Sequence, residues 1–201
     1  MGVDTEEKKI MCGRFSVIEK PICAFVNDEF GIEFQTKDNL DVRPTQNIAT
    51  IMNDSGKYSQ QDASWGIKPA WSKRILINAQ AETAAVKKTF SKAMKFSRCL
   101  VPCSGWFEWS SIEGKKQKYL FEKKQQTLLM TGILFENKSD NSTQLVTLTN
   151  APNHQCRPYH GRMPLFIEKD EIDFWFNSKA EELFPLLQHM ESESYQISAS
   201  S

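Results

Sequence analysis

The sequence predicts an α+β fold, a single domain built on an antiparallel or barrel-like β-sheet with flanking helices. Segments typical of strands outnumber those typical of helices, and Gly, Asn and Pro turns separate them. The chain has 201 residues and 40% hydrophobic content, which is enough for one core. Its 13 Phe and 5 Trp are spread along the whole chain, without a low-complexity segment or repeat, so we expect no linker.

The strand predictions rest on alternating or apolar and Thr-rich segments at residues 11–17, 119–121, 128–135 and 144–149. Helices are predicted for Glu19–Phe30 with Pro21 in its first turn, for residues 83–90, and for residues 180–190 with a possible break at Pro185. The expected domain is 11–190. Residues 1–10 are then an N-terminal extension, and the polar residues 191–201 form a tail that frays.

Composition limits the classes of partner. Lys plus Arg equals Asp plus Glu at 25 each, so the net charge is zero and any nucleic-acid site must be a local basic groove. No apolar run approaches the roughly 18 residues that cross a bilayer. The first ten residues are charged where a signal peptide is apolar. We therefore expect a cytoplasmic protein without a membrane partner, and we expect a monomer.

Cysteine usage argues against disulfides and structural metal. The count of 5 is odd, and the spacing shows no repeated framework. Cys99 and Cys103 lack a second Cys or His pair at zinc-ligand spacing. The sequence therefore predicts no metal and no cofactor.

Cys12 is the first candidate for chemistry, because a deprotonated cysteine is a strong nucleophile. Arg14 lies two residues on, so in a strand both side chains share a face, and the guanidinium can favour a thiolate or hold a phosphate. A small buried cysteine in a first strand remains the alternative.

Met11 precedes Cys12, and cleavage between the two residues would expose an α-amine and a thiol with unperturbed pKa values of about 8 and 8.5. An amine and a thiol on adjacent carbons close a thiazolidine ring on an aldehyde, which implies an aldehyde substrate.

Three further polar residues are candidates for the same site. Glu108 lies among Trp106, Phe107 and Trp109. Desolvation by these side chains would disfavour the charged carboxylate and raise the pKa of Glu108, which would suit it as a general acid/base. His160 in YHGRMP is a candidate proton shuttle. Asn78 in INAQAET can orient an amine through its amide. A solvent-facing Glu108, a structural His160 and a helix-capping or turn-forming Asn78 remain open.

Together these segments resemble the SOS response-associated peptidase (SRAP) family, whose members process abasic sites. The resemblance covers roughly residues 11–167. It rests on MCGRF at 11–15, RPTQ at 43–46, WGIKPAW at 65–71, NAQAET at 78–83, RCLVPCSGWFEW at 98–109, LTNAPN at 148–153 and HGRMP at 160–164.

The resemblance implies a function and roles for these residues. Cys12, once N-terminal, forms a thiazolidine crosslink with the aldehyde of an abasic site in single-stranded DNA, and so avoids strand breakage. Glu108 assists proton transfer in ring closure and in removal of the N-terminal peptide, His160 helps to open the sugar and reverse the crosslink, and Asn78 positions the amine. The residues expected to contact DNA are Arg14 and Arg162 at phosphates, and Trp65 and Trp71 by stacking. Core packing is the alternative for both tryptophans.

Two departures from the family pattern matter. The family cysteine directly follows the initiator Met, whereas ten residues precede Met11 here. Three explanations are open. Translation starts at Met11, or the ten extra residues were added for expression of the protein, or the protein removes residues 1–11 by its own peptidase activity. Gln80 stands where many relatives have Arg, so we expect one phosphate contact fewer.

Two other functions fit the same residue types. A cysteine peptidase acting on proteins would use Cys12 as nucleophile, His160 as base, and Glu108 or Asn78 as orienting group. A single-strand-binding module without catalysis would use the tryptophans and arginines alone.

Overall fold

A computed structural model describes residues 12–112, 114–187 and 195–200. The strands of the described chain are β1 (Phe15–Val17), β2 (Asn39–Val42), β3 (Asn47–Asp54), β4 (Lys57–Trp65), β5 (Asn78–Gln80), β6 (Arg98–Cys103), β7 (Gly105–Ile112), β8 (Lys115–Glu122), β9 (Leu128–Asn137), β10 (Ser142–Asn150), β11 (Met163–Pro164), β12 (Phe166–Ile167) and β13 (Gln196–Ser200). The helices are α1 (Glu19–Phe30), α2 (Ala81–Ala84), α3 (Ser91–Phe96), α4 (Ile172–Asn177) and α5 (Phe184–Leu187), with a 3-10 turn at Lys169–Glu171.

Five strands close into a barrel. The pairing runs β10-β4-β3-β6-β9, and β9 pairs back onto β10 as an antiparallel hairpin. The β4–β10 and β5–β10 pairs are parallel, and the other pairs of this sheet are antiparallel. Closure leaves no free edge in the ring. The predicted barrel-like α+β domain is therefore confirmed.

A second sheet lies beside the barrel, in the order β13-β8-β7-β1-β2. Its centre is the β1–β7 pair, where Phe15 is opposite Trp106 and Ser16 is opposite Gly105. A Cβ on Gly105 would lie 2.5 Å from the Phe121 carbonyl oxygen on β8, so only glycine permits this close approach. This sheet carries two of the predicted functional segments.

The helix predictions agree with the structure in one case of three. Glu19–Phe30 is confirmed as α1, which ends at Gly31 in the left-handed conformation with φ 64°. The prediction for residues 83–90 is wrong, because α2 ends at Ala84 and successive turns follow. In these turns Val86 N donates to Thr83 O at 3.2 Å and Phe90 N to Lys87 O at 2.8 Å, which buries Phe90 against Phe135.

The last predicted helix is much shorter than expected. Within residues 180–187 only α5 is helical, and Pro185 lies in its first turn, where a missing N–H is tolerated. Residues 188–190 lie outside the described chain. Of the predicted tail, Gln196–Ser200 forms β13, an edge strand antiparallel to β8, rather than a frayed end. The extension at residues 1–10, Met11, residues 191–194 and Ser201 also lie outside the described chain.

The core fills the barrel and the space between the two sheets. Its largest fully buried side chains include Trp65, Trp106 and Trp175, each at most 1% exposed. Among the described residues, no helix is long and apolar enough to cross a membrane.

Candidate active site

Cys12, Glu108 and His160 meet at one point. The cysteine Sγ, a carboxylate oxygen and a ring nitrogen all lie within 4.8 Å of one another. The three residues are only 5%, 3% and 7% exposed. A nucleophile, a carboxylate and an imidazole at this separation can pass a proton among themselves with small side-chain movements. The three strongest sequence candidates are therefore brought together.

The β1–β7 pairing sets Cys12 beside Glu108. Beyond the Phe15–Trp106 pair, Phe107 N donates to Arg14 O at 3.0 Å, so the antiparallel register continues toward Cys12 as β7 continues toward Glu108. Cys12 itself precedes β1, in a bend. The strand predicted from residue 11 is thus shorter at its start.

His160 is held by the turns between β10 and β11. Its backbone N donates to Cys156 O at 3.2 Å, and its Nδ1 lies 3.1 Å from Arg162 O and 3.2 Å from Arg162 N. Cys12 Sγ also donates to Arg162 O, at 3.6 Å. The backbone of Arg162 therefore contacts both the thiol and the imidazole, and it fixes their relative position.

Asn78 reaches the same point from β5, which runs parallel to β10 with Asn78 opposite Thr147. Its Nδ2 donates to Cys12 O at 3.4 Å, and Thr147 Oγ1 donates to Asn78 Oδ1 at 2.5 Å. Because the Cys12 carbonyl oxygen can only accept, it requires the N–H₂ side of the amide, and the Thr147 hydroxyl then donates to the amide oxygen on the other side. The amide thus holds the backbone of the candidate nucleophile.

The electrostatics of the site keep the thiol protonated. Burial raises the pKa of Cys12 well above its ordinary value, and the charge of Glu108 and a hydrogen bond with it raise it further. The charge of Arg162 opposes these effects. The guanidinium that favours the thiolate is therefore that of Arg162, rather than that of Arg14.

The backbone of Cys12 has φ 41°, in the left-handed region that residues other than glycine rarely adopt. Such conformations cost of the order of 1–3 kcal/mol and cluster at functional sites. The strain depends on the presence of a preceding residue, because φ is defined by the carbonyl carbon before Cys12. Removal of that residue would abolish the constraint.

Both predicted phosphate-binding arginines lie in ion pairs. Arg162 Nη1 and Nη2 each donate to a carboxylate oxygen of Glu82 at 2.7 Å, and Nη2 also donates to Thr149 O. Arg14 contacts Asp41 at 2.6 Å and lies 5.8 Å from the centroid of the Trp109 ring. Both remain predicted DNA contacts.

Asp41 is the centre of a basic cluster that we call the Asp41 cluster, formed by Asp41, Arg14, Arg43 and Lys118. Arg43 lies 2.7 Å and Lys118 3.8 Å from the Asp41 carboxylate. Burial raises the pKa of Asp41, but hydrogen bonds from Arg14 and Arg43 and the nearby positive charges lower it below its ordinary value. Three cations against one carboxylate form a local basic surface on a chain of zero net charge.

The two tryptophans differ. Trp65 is 1% exposed, its Nε1 donates to Ile77 O at 3.1 Å, and its ring packs edge-on against Phe15 at 5.1 Å. The prediction that it stacks on DNA is therefore wrong, because the end of β4 turns it into the core. Trp71 is 70% exposed, in a loop at residues 68–75 that we call the Trp71 loop. It stays a predicted DNA contact.

Sequence reasoning missed Thr147, Glu82 and Asp41, which orient Asn78, Arg162 and Arg14 respectively. Thr147 lies in a segment predicted only as a strand, and no local pattern distinguishes it. Glu82 is the one acidic residue of NAQAET at 78–83, and this is the signal that identifies it as a partner for Arg162. Gln80 is exposed at the end of β5, and the loss of one phosphate contact there stays a prediction.

The profile of the family described as SOS response associated peptidase (SRAP) matches residues 11–200. The chain belongs to the SRAP family. It is 31% identical over 208 residues to abasic site processing protein YoqW of Bacillus subtilis (strain 168), covering 94% of this chain and 93% of that protein. It is 30% identical to abasic site processing protein YoaM of the same organism, covering 84% and 80%.

The SRAP fold is also found in solved structures. A crystal structure of a protein from Bordetella bronchiseptica matches with a TM-score of 0.80 at 18% identity, covering 94% of this chain and all of that one. At this identity the likeness concerns the fold alone. It agrees with the barrel and flanking sheet of this SRAP chain.

The candidate active site also holds a set of side chains that can bind a metal ion. Among residues 12–112, 114–187 and 195–200, the one group of three side chains that can supply ligands is Cys12, Glu108 and His160. Cys99 and Cys103 are fully buried in β6, and burial raises the pKa of both thiols well above the ordinary range. They act as apolar core residues.

Proposed function

We propose that this protein processes abasic sites in single-stranded DNA, as a monomer, by forming a thiazolidine crosslink through Cys12 after removal of residues 1–11. The observation that carries the proposal is the meeting of Cys12, Glu108 and His160 within 4.8 Å, with Asn78 on the Cys12 carbonyl. The relatives are named abasic site processing proteins, which supports this choice of substrate.

The first step releases the amine of Cys12. The thiol attacks the carbonyl carbon of Met11, the C–N bond to Cys12 breaks, and the acyl group moves to sulfur while the amine nitrogen takes a proton. Water then hydrolyses the thioester, which frees the thiol and a Met11 carboxylate. Glu108 can accept the thiol proton and return it to the nitrogen. The left-handed φ of Cys12 favours this cleavage, because the strain ends when the peptide bond breaks.

The second step joins the protein to DNA. The free amine adds to the aldehyde carbon of the ring-opened sugar, and loss of water gives an imine. The thiol adds to the imine carbon, its proton passes through Glu108 to the nitrogen, and the ring closes as a thiazolidine. His160 donates a proton to the ring oxygen that leaves as the sugar opens. One aldehyde and one amino thiol thus give one thiazolidine and one water.

DNA binding would use the Asp41 cluster and the Trp71 loop. The Asp41 cluster offers cations for phosphates, and the Trp71 loop offers an exposed ring with Lys68, Lys73 and Arg74, all exposed. Phosphate contacts give affinity without reading sequence, and aromatic stacking accepts any base. Such a surface suits a lesion that occurs in any sequence context.

The test is incubation with a single-stranded oligonucleotide carrying one abasic site, followed by a denaturing gel and by intact mass spectrometry of the protein alone. The proposal predicts a heat-stable shifted band only from protein whose mass lacks residues 1–11. Cys12→Ala should abolish the band, whereas Cys23→Ser, a change at a half-buried cysteine on α1, should not.

A peptidase acting on other proteins is the second candidate, because the Cys12–Glu108–His160 arrangement also suits acyl transfer. It predicts that protein with residues 1–11 in place cleaves an added peptide and that cleavage is lost in Cys12→Ala. Processed protein that gives no DNA adduct would overturn the crosslinking proposal and favour this one.

A further inference from the structure

We propose that Cys12, Glu108 and His160 form a reversible binding site for a zinc-class divalent cation, and that an occupied site blocks crosslinking. Their three ligand atoms lie within 4.8 Å of one another. Zinc–ligand distances of about 2.0–2.3 Å place tetrahedral ligand atoms about 3.5 Å apart. Side-chain movements of about 1 Å would therefore bring the three ligand atoms within bonding distance of one ion.

The ligand chemistry fits zinc better than harder cations. A thiolate and an imidazole suit Zn²⁺, whereas Mg²⁺ and Ca²⁺ prefer oxygen alone. One thiolate and one carboxylate neutralise the two charges of the ion, which matters because all three residues are buried. The nearest guanidinium, of Arg162, is paired with Glu82 at 2.7 Å, so its repulsion of a cation is reduced.

The surroundings of His160 also fit a ligand. His160 Nδ1 lies 3.1 Å from Arg162 O and 3.2 Å from Arg162 N, so the backbone of Arg162 holds the ring through this nitrogen in either tautomer. Metal-bound histidines commonly make this contact with a backbone carbonyl through the second ring nitrogen. The backbone of Arg162 therefore fixes the orientation of the ring.

Inhibition follows because the cation takes the groups that the chemistry needs. On binding, the Cys12 thiol loses its proton to solvent and forms a sulfur–metal bond. In processed protein the adjacent α-amine can be the fourth ligand, closing a five-membered chelate. Neither nucleophile then reaches the aldehyde; this part of the inference rests on the proposed function.

Cobalt(II) is the probe for the site, because thiolate ligation gives a near-ultraviolet charge-transfer band and tetrahedral coordination gives visible bands. We expect both bands from the full-length and the processed protein. The charge-transfer band should vanish in Cys12→Ala, and binding should weaken in His160→Gln and Glu108→Gln. His154→Gln, at an exposed histidine outside the site, and Cys23→Ser should leave the spectrum unchanged. Thermal unfolding of each variant identifies any that do not fold.

Crosslinking is measured in parallel, with zinc and with a chelator. At a free zinc concentration of about ten times the Kd, we expect the crosslinking rate to fall about tenfold and to recover with the chelator. Bands that are absent, or that persist in Cys12→Ala, overturn the cation site even if crosslinking in chelator is normal. Cys12-dependent bands without any adduct in chelator overturn the proposed function and the inhibition, while the site itself stands.

Discussion

Thr147 Oγ1 donates to Asn78 Oδ1 at 2.5 Å, and the N–H₂ side of the same amide donates to the Cys12 carbonyl oxygen. The two residues are opposite each other on the parallel strands β5 and β10. The amide of Asn78 therefore has one orientation, and so has the backbone of Cys12.

Thr147→Val should slow crosslinking with little loss of stability. Valine has nearly the same shape, but it cannot donate to the amide, so Asn78 loses the contact that holds its oxygen. A misplaced reacting group costs roughly 10- to 100-fold in rate. The measurement is the rate of adduct formation on processed protein. Thr147→Ser, which keeps the hydroxyl, is the control, and equal rates for the Val and Ser variants would contradict the role of the contact.

Glu82→Gln should lower stability and crosslinking together. The variant loses the negative charge and one of the two 2.7 Å contacts with Arg162, because only the amide oxygen of glutamine can accept. The backbone of Arg162 holds Cys12 and His160. Hydrogen bonds to charged groups contribute about 1.5–3 kcal/mol, so we expect a loss of unfolding free energy in that range. Glu181→Gln, in an exposed 3.3 Å ion pair with Lys95, should leave stability nearly unchanged, because solvent screens this pair.

The stability contributed by Glu82 should depend on pH. Burial raises the pKa of Glu82, but the hydrogen bonds and charge of Arg162 lower it below its ordinary value. A group with a lowered folded-state pKa contributes stability above its unfolded pKa of about 4.3 and loses it as pH falls through the folded value. The unfolding free energies of wild type and Glu82→Gln should therefore converge in acid. A constant difference from pH 7 to pH 3 would refute this assignment.

Trp65→Ala should lower stability, whereas Trp71→Ala should lower affinity for DNA. Trp65 is in the core, so its truncation should cost about 3–5 kcal/mol in unfolding free energy. Trp71 is 70% exposed, so its truncation should leave stability unchanged and weaken binding to unmodified single-stranded DNA by about 1–3 kcal/mol. Chemical denaturation and fluorescence anisotropy measure the two quantities. Unchanged DNA affinity in Trp71→Ala would remove the Trp71 loop from the binding surface.

Asp41→Asn should tighten binding to single-stranded DNA. The substitution removes the carboxylate that Arg14, Arg43 and Lys118 now contact and leaves their charges for phosphates. One more effective cation steepens the slope of log affinity against log salt by about 0.7. Anisotropy titrations at several salt concentrations measure this slope. Weaker binding with an unchanged slope would show that Asp41 positions the arginines rather than masking them.

The motifs of the sequence predicted the site better than local patterns predicted the fold. Cys12, Glu108, His160 and Asn78 meet as expected, but their contacts depend on the β1–β7 register and the parallel β5–β10 pair, which no local pattern encodes. The helix predicted for residues 83–90 failed because the burial of Phe90 requires turns there, and tertiary packing overrides local propensity. Trp65 and Trp71 lie in the same motif, WGIKPAW. Trp65 is the last residue of β4 and is buried in the core, whereas Trp71 follows in a loop and is exposed, and the motif alone does not distinguish them.

The central claim is that both nucleophiles of Cys12 join the same aldehyde carbon. The most direct test is the mass of the purified protein–DNA adduct before and after borohydride treatment. A thiazolidine has no carbon–nitrogen double bond, so its mass stays equal to protein plus DNA minus one water. An imine formed by the amine alone would be reduced and gain two hydrogen atoms. The account predicts an unchanged mass for wild type and an adduct of Cys12→Ser that persists only after reduction. A wild-type adduct that gains two hydrogens would contradict it.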